Sequence, residues 1–370
     1  MSIEEHLASP HVSLEQYVKN RTVELGQSIE RRTPVYLDTK FWILLRNGAL
    51  HGGAAGNLLN ELRIQVKDGA AFCPISDSTF AEILKQTDIS SRRRTAEIVD
   101  ELSLGISLLT SEQRVATETA HFFFSLMTPD TRLHPLRFLV WTKVGYVLGF
   151  VHPQSDLFEK STQLALQKAF FDEMWQIRLT QIMGLLDTSA LEDLSFANTA
   201  GRLNAGNAEH SDSIRSFEQA WSHELQGAAD LCADKAADVL CDMGKKQGLA
   251  TPKRGDAAWM KTRNVCANAV FHALKNKPEM RRSLPTLYID ACLHADIRRD
   301  KTRKLNGNDI YDFQHASAAL GYCGAFFTEA PLRTAISRLR PKLADEFSCR
   351  VISDVEEALE FTCTLKNDAL

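Results

Sequence analysis

Pro34-Val35-Tyr36-Leu37-Asp38-Thr39 is the stretch that decides the fold. A short apolar run opened by a proline and closed by a polar pair predicts a buried strand that stops where Asp38 begins. Before it, Ser13 followed three residues later by Gln16 has capping-box spacing, so a leading helix running towards Ile29 is expected. After it, residues 41–45 continue as apolar helix, Gly52-Gly53 breaks the chain, and Leu58, Leu59, Leu62, Ile64 and Val66 recur at helical spacing. A second apolar run, 70–75, leads into Ser76-Asp77-Ser78, which can cap a helix carrying Phe80, Glu82, Ile83 and Leu84. Residues 92–104 predict an amphipathic helix, 105–109 a third strand and 111–127 another helix. Strands that alternate with helices in this way predict an α/β fold with a parallel sheet covered by helices on both faces.

From 128 to about 285 the strand signals vanish, and helical patterns span 135–150, 157–186, 213–243 and 256–275. The most apolar of these stretches, 138–151, is interrupted by Lys143 and Gly145 and is too short to cross a bilayer, so it reads as a buried helix. Residues 198–212 and 244–255 read as loops. The first pattern then returns: a helix over 284–299, a basic loop over 298–308 and a helix over 309–320. A strand at 325–327 ends in Thr328-Glu329; a helix follows from Pro331, a strand at 349–352 and a last helix to about 365. The expected organisation is therefore a leading helix and first part of an α/β core (1–127), an all-helical insertion (128–283) and the second part of the core (284–370).

The 370 residues are 44% hydrophobic and 24% charged, as in ordinary globular chains. Forty-three Lys and Arg against 47 Asp and Glu leave a net charge of −4, so there is no overall positive field to attract nucleic acid. A phosphate-bearing partner would need a local basic patch or metal ions. The eight cysteines are scattered without a CxxC pair, which argues for reduced thiols in a cytoplasmic setting and against structural zinc or a disulfide framework. The opening residues carry Glu4 and Glu5 and no apolar run, unlike a secretion signal. P-loop, GxSxG, HExxH and GxGxxG patterns are absent, which removes the commoner NTPase and hydrolase readings.

Carboxylates recur where the expected strands and their helices end: Asp38 after the first strand, Glu82 after the second, Asp309 and Asp312 at a helix start, and Glu329 after the 325–327 strand. Sites in open parallel sheets form outside the carboxyl ends of strands, so these acids can converge. A cluster of carboxylates in a desolvated pocket repels itself unless cations neutralise it, and Mg2+ or Mn2+ suits oxygen ligands with open water positions. Singly, each acid has an ordinary structural role. Asp38 and Asp309 suit helix caps, Glu82 a solvated helix face, Asp312 the positive end of a helix dipole, and Glu329 the start of the helix at Pro331. His315, three residues after Asp312, either orients a phosphate or carboxylate or sits as a hydrogen-bonded core histidine. Thr39 and Thr328 either hold the neighbouring acids or stabilise turns. The cations Arg298, Arg299, Lys301, Arg303 and Lys304 precede Asp309 and can track a nucleic-acid backbone, although Asp296 and Asp300 dilute them. Arg92-Arg93-Arg94 is a second basic run.

Four segments together, Val35 to Thr39, Ser76 to Glu82, Asn308 to Ala316 and Tyr322 to Glu329, resemble the PIN-domain metal-dependent nucleases. The resemblance covers roughly 33–127 and 284–355, and the helical insertion has no counterpart in it. It implies a PIN-like parallel sheet flanked by helices and interrupted by that insertion. The family's first and second acids match Asp38 and Glu82. The third matches Asp312, which is followed by the small Ala316 and Ala319, with Asp309 one turn earlier. The fourth falls at Glu329, where Asp is usual, so the longer side chain would ligate through water or be displaced.

By that resemblance the chain is expected to be an endoribonuclease that hydrolyses phosphodiester bonds with Mg2+ or Mn2+, leaving 5′-phosphate and 3′-hydroxyl ends. Asp38 and Asp312 would be principal ligands, Glu82 and Asp309 ligands or orienters of the attacking water, and Glu329 an outer ligand. The alternatives are a weak or inactive PIN-like scaffold and a DNA nuclease. RNA is the expected partner before DNA, no membrane is expected, and the insertion is free to dock a protein partner or a second copy.

Overall fold

The computed structural model describes residues 2–128, 130, 132–186, 196–209, 214–339 and 342–365. Among the described residues there are six strands: β1 (Thr33–Leu37), β2 (Ala71–Phe72), β3 (Ile106–Leu108), β4 (Trp141–Lys143), β5 (Ala325–Phe327) and β6 (Arg350–Ile352). Four of them form a parallel sheet in the order β2-β1-β5-β6, with Val35 opposite Ala325 and Leu37 opposite Phe327. β3 adjoins the β2 side through a parallel bridge from Ser107 to Ile75 and pairs antiparallel with β4. The chain thus builds outward from β1 through β2 to β3, then restarts with β5 on the other flank of β1. Strand order reverses between β1 and β5, and in open parallel sheets that is the place where a crevice forms outside the carboxyl ends of the strands.

Alternation along the strands gives the sheet two apolar faces. Tyr36, Phe72 and Phe326 join one buried cluster, and Val35, Leu37, Ala71, Ala325, Phe327 and Ile352 join the other. The second face is covered by the helices Thr39–His51, Gly53–Lys67, Ile89–Ser103 and Val355–Thr364. The first shares its cluster with Trp221, Ala229 and Cys232 of the helix Phe217–Lys246, with Cys266 and Val270 of the helix Ala257–Asn276, and with the helix Pro285–Arg299. Helices from the middle of the chain therefore supply the core on this face. All eight cysteines are free thiols. Among the described residues no helix is long and apolar enough to cross a membrane.

Three expectations are corrected. The stretch 138–151 is not a helix: short 3-10 turns at Leu136–Phe138 and Val144–Tyr146 flank β4. An apolar run of this length reads alike as strand or buried helix, and here β3 supplies the pairing partner. Gly145 lies so close to the Met174 carbonyl that a Cβ there would meet it at 2.0 Å. The expected helix over 157–186 is two, Lys160–Gln176 and Leu179–Leu185. The second is capped from outside, since Asp100 accepts from the Leu179 and Thr180 amides at 2.7 and 3.0 Å. Of the expected loop 198–212, residues up to Glu209 form the helix Ala197–Glu209, and 210–212 lie outside the described residues.

Candidate functional site

Asp38 ends β1 and caps the helix Thr39–His51, its Oδ1 accepting from the Phe41 amide at 3.0 Å. The cap fixes a carboxylate that is only 6% exposed at the mouth of the crevice. Glu82 arrives from the helix Asp77–Leu84, and its Oε2 accepts twice: from the Thr39 hydroxyl at 2.5 Å and from His315 Nε2 at 2.7 Å. His315, on the helix Gly307–Tyr322, is buried, and its Nδ1 lies 2.6 Å from the Tyr36 hydroxyl. That phenol in turn lies 2.6 Å from Ser76 Oγ and 3.0 Å from Thr79 Oγ1. A strand, a capped helix and a helix from the far end of the sequence are thereby tied together at one point.

Asp312 lies one helical turn before His315, half-buried, and among the described residues its carboxylate makes no hydrogen bond or ion pair. Burial pushes it up to about 7, and the charges of Glu82, Asp38 and Glu329 push the same way against His315. Burial likewise raises Asp38 to about 6, with Glu329 adding to it and the Phe41 amide, His315 and Thr328 opposing. For Glu82, burial also favours the neutral form but is outweighed by the bonds from His315 and Thr39 and by Lys85, so its carboxyl is held below the usual range. Burial lowers His315, but hydrogen bonding to Glu82 and the surrounding negative charge more than compensate, and the imidazole is raised.

Glu329 is exposed after β5, at the start of the helix Ala330–Arg338, and makes no side-chain cap bond there. It is near enough to raise both Asp38 and Asp312. The neighbouring Thr328 hydroxyl is fully buried beside Asp38 and helps keep it charged, yet has no hydrogen bond of regular geometry.

Asp309 is spent elsewhere, and it is not the N-cap expected of it: the helix starts earlier, at Gly307, with Asn306 as its N-cap. Its Oδ2 accepts from the Asn306 amide at 2.8 Å while Asn306 Oδ1 accepts from the Asp309 amide, and its Oδ1 accepts from Arg303 at 3.1 Å. The basic loop is also largely neutralised. Arg298 pairs with Glu224, Arg299 with Asp296 and Arg303 with Asp309. Lys301 and Lys304 are exposed. In the second basic run, Arg92 is buried and donates to the Leu84 carbonyl, and Arg93 pairs with Glu97. The cation that does stand beside the acids is Lys85. It follows the Glu82 helix, lies 3.9 Å from the centroid of the Tyr311 ring, and favours the charged form of Glu82.

Sequence reading weighed His315 and passed over Tyr36 and Lys85. The signals were a tyrosine in a strand buried on both faces, which needs a partner for its hydroxyl, and a lysine three residues after an acid, at the end of that acid's helix.

Among the described residues, no three His, Cys, Asp or Glu side chains stand close enough together to grip a metal ion. The donors that face the crevice are carboxylate and hydroxyl oxygens, the chemistry of a hard divalent cation, and the unsatisfied Thr328 hydroxyl beside them is a further oxygen of that kind. No family model, curated protein or solved structure matches this chain.

Proposed function

We propose that this chain is a PIN-like, metal-dependent nuclease that hydrolyses phosphodiester bonds, in RNA before DNA, at the crevice between β1 and β5. One observation carries the reading. Carboxylates that follow β1 and that lie on the helices Asp77–Leu84 and Gly307–Tyr322 stand within electrostatic reach of one another near the point where strand order reverses, and among the described residues the Asp312 carboxylate has no hydrogen bond or ion pair. A buried acid that burial and its neighbours hold near neutrality stabilises nothing by itself, and it becomes useful when a cation arrives.

Asp38, Glu82 and Asp312, which as they lie do not stand close enough to grip an ion, would have to draw together around Mg2+ or Mn2+, with Glu329 at the exposed rim. Such an ion acidifies a water and neutralises the departing oxygen. The chain's own contributions differ by residue. Asp38 is preset by its cap and Glu82 by two hydrogen bonds, whereas among the described residues the Asp312 carboxylate is held by neither kind of contact. Lys85, steadied over Tyr311, would meet a phosphate of the incoming strand.

Cleavage of single-stranded RNA and DNA by the wild type and by Asp38→Asn, with Mg2+, with Mn2+ and with chelator, tests the reading. RNA cleavage that needs the ion and falls at least about 100-fold in Asp38→Asn is expected, since even residues that only support a ligand are worth 10–100-fold. Equal cleavage by both proteins would mark a contaminant. No ion-dependent cleavage by the wild type would leave a PIN-like scaffold.

A further inference from the structure

We propose that a hollow lined by the helices Leu14–Ser28 and Ser111–Met127 binds one aliphatic carboxylate, its methylene chain on the apolar walls and its head group among Lys19, Arg132 and Lys235. None of Asp38, Glu82, Asp312 and Glu329 lines this hollow, so the inference is independent of the nuclease reading.

Residue spacing makes the space. On the helix Ser111–Met127, Ala116, Ala120 and Phe124 recur every four residues and share a face, as Leu14 and Val18 do on the helix Leu14–Ser28. Together with Leu139 they line one cavity of about 810 Å³, within the range of roughly 300–1,000 Å³ usual for small-molecule sites. Alanines stand where longer side chains would close the gap. All six residues are only half-buried, so apolar surface stays in contact with water until a ligand covers it.

The charges around the space are one-sided. Lys19, Arg132 and Lys235 line the same cavity, are exposed, and among the described residues make no hydrogen bond or ion pair through their side chains. Elsewhere on the surface the arginines are commonly paired, as Arg63 is with Glu101, Arg137 with Glu30 and Arg254 with Asp234. Against the three cations stands a single acid among the described lining residues, Glu15. A chain whose net charge is −4 therefore presents a positive rim around an apolar floor at this one place. The rim selects an anion and the floor an amphiphile. Because the apolar lining is mainly aliphatic, a methylene chain suits it better than a stacked base.

Calorimetric titration of the full-length protein with octanoate, decanoate and dodecanoate, each kept below micelle formation, tests this. Decyltrimethylammonium supplies the tail with the opposite charge, and AMP the negative charge without the tail. One carboxylate is expected per chain, with affinity rising about fourfold for each added methylene. Decyltrimethylammonium should bind at least about tenfold more weakly than decanoate, because its head group meets like charges. The Lys19→Gln/Lys235→Gln pair should weaken decanoate about fivefold and blunt its salt dependence. Ala116→Phe and Ala120→Phe fill the hollow from its wall and should each abolish binding, with melting curves verifying the fold. The two lysines are exposed, so their pair tests the site even where a filling variant does not fold. Absence of saturable dodecanoate binding by the wild type, equal affinity for decyltrimethylammonium, tighter binding of AMP, or carboxylate binding that survives the lysine pair and both fillings overturns the inference.

Discussion

Glu118 and Asp312 are both acids that burial pushes up to about 7, and they are treated in opposite ways. Glu118, fully buried on the helix Ser111–Met127, accepts from the Thr286 amide and hydroxyl and from the Tyr322 hydroxyl, with the Arg114 guanidinium close enough to favour its charge. It sits at the start of the helix Pro285–Arg299, where backbone amides need acceptors. Every feature of that surrounding serves the fold. Asp312 is given a crevice, three like charges and no bond. Burial and a displaced pKa alone do not separate a structural acid from a functional one, and the separation comes from counting what each oxygen touches.

The largest test of the contrast is Glu118→Ala. It would leave the Thr286 amide and the Tyr322 hydroxyl without their acceptor and cost about 1–3 kcal/mol for each buried group left unpaired, read by denaturant melts, with cleavage per folded molecule unchanged. Loss of activity at full stability would break the contrast.

Asp312→Asn should do the reverse. A carboxyl raised to about 7 in the folded chain holds a proton that the unfolded chain has already released, so metal-free stability falls as pH rises from about 4 to about 7. Asp38 and Glu118, raised to about 6 and about 7, contribute with the same sign. Removing the Asp312 share should flatten the fall and raise the melting temperature at pH 8 by roughly 2–4 °C, while abolishing cleavage. A variant that melts lower at pH 8 would show that Asp312 supports the fold.

The smallest effects concern the cations. Lys85→Ala should weaken RNA binding and reduce its salt dependence by about one ion, whereas Lys304→Ala should change either by less than about twofold. Equal losses would return the backbone contact to the loop.

The sheet was legible where the chain announces it. Proline before and Asp-Thr after bracket Val35, Tyr36 and Leu37, and Ser76 marks its helix by a cap that forms. β4 was not legible, because Trp141, Thr142 and Lys143 become a strand only through a partner that sequence distance conceals. At the site, the placing of Asp38, Glu82 and Asp312 within electrostatic reach of one another follows from their positions at strand ends and on adjoining helices. The two open roles of Asp309 were helix cap and ligand, and it fills neither as read: it is the third residue of a capping box whose N-cap is Asn306, and it pairs with Arg303. The Tyr36–His315 link joins a strand residue read as core to a helix residue read as accessory, and no local spacing encodes it.

The pairing of Val35 with Ala325 has a consequence for synthesis. The central strand is made early and its neighbour very late, so a loop spanning most of the chain must close before the crevice exists. A nascent or truncated polypeptide would carry Asp38 and Glu82 without Asp312 to face them. If the chain is the nuclease proposed above, its cleaving site would not exist until the last segments had emerged.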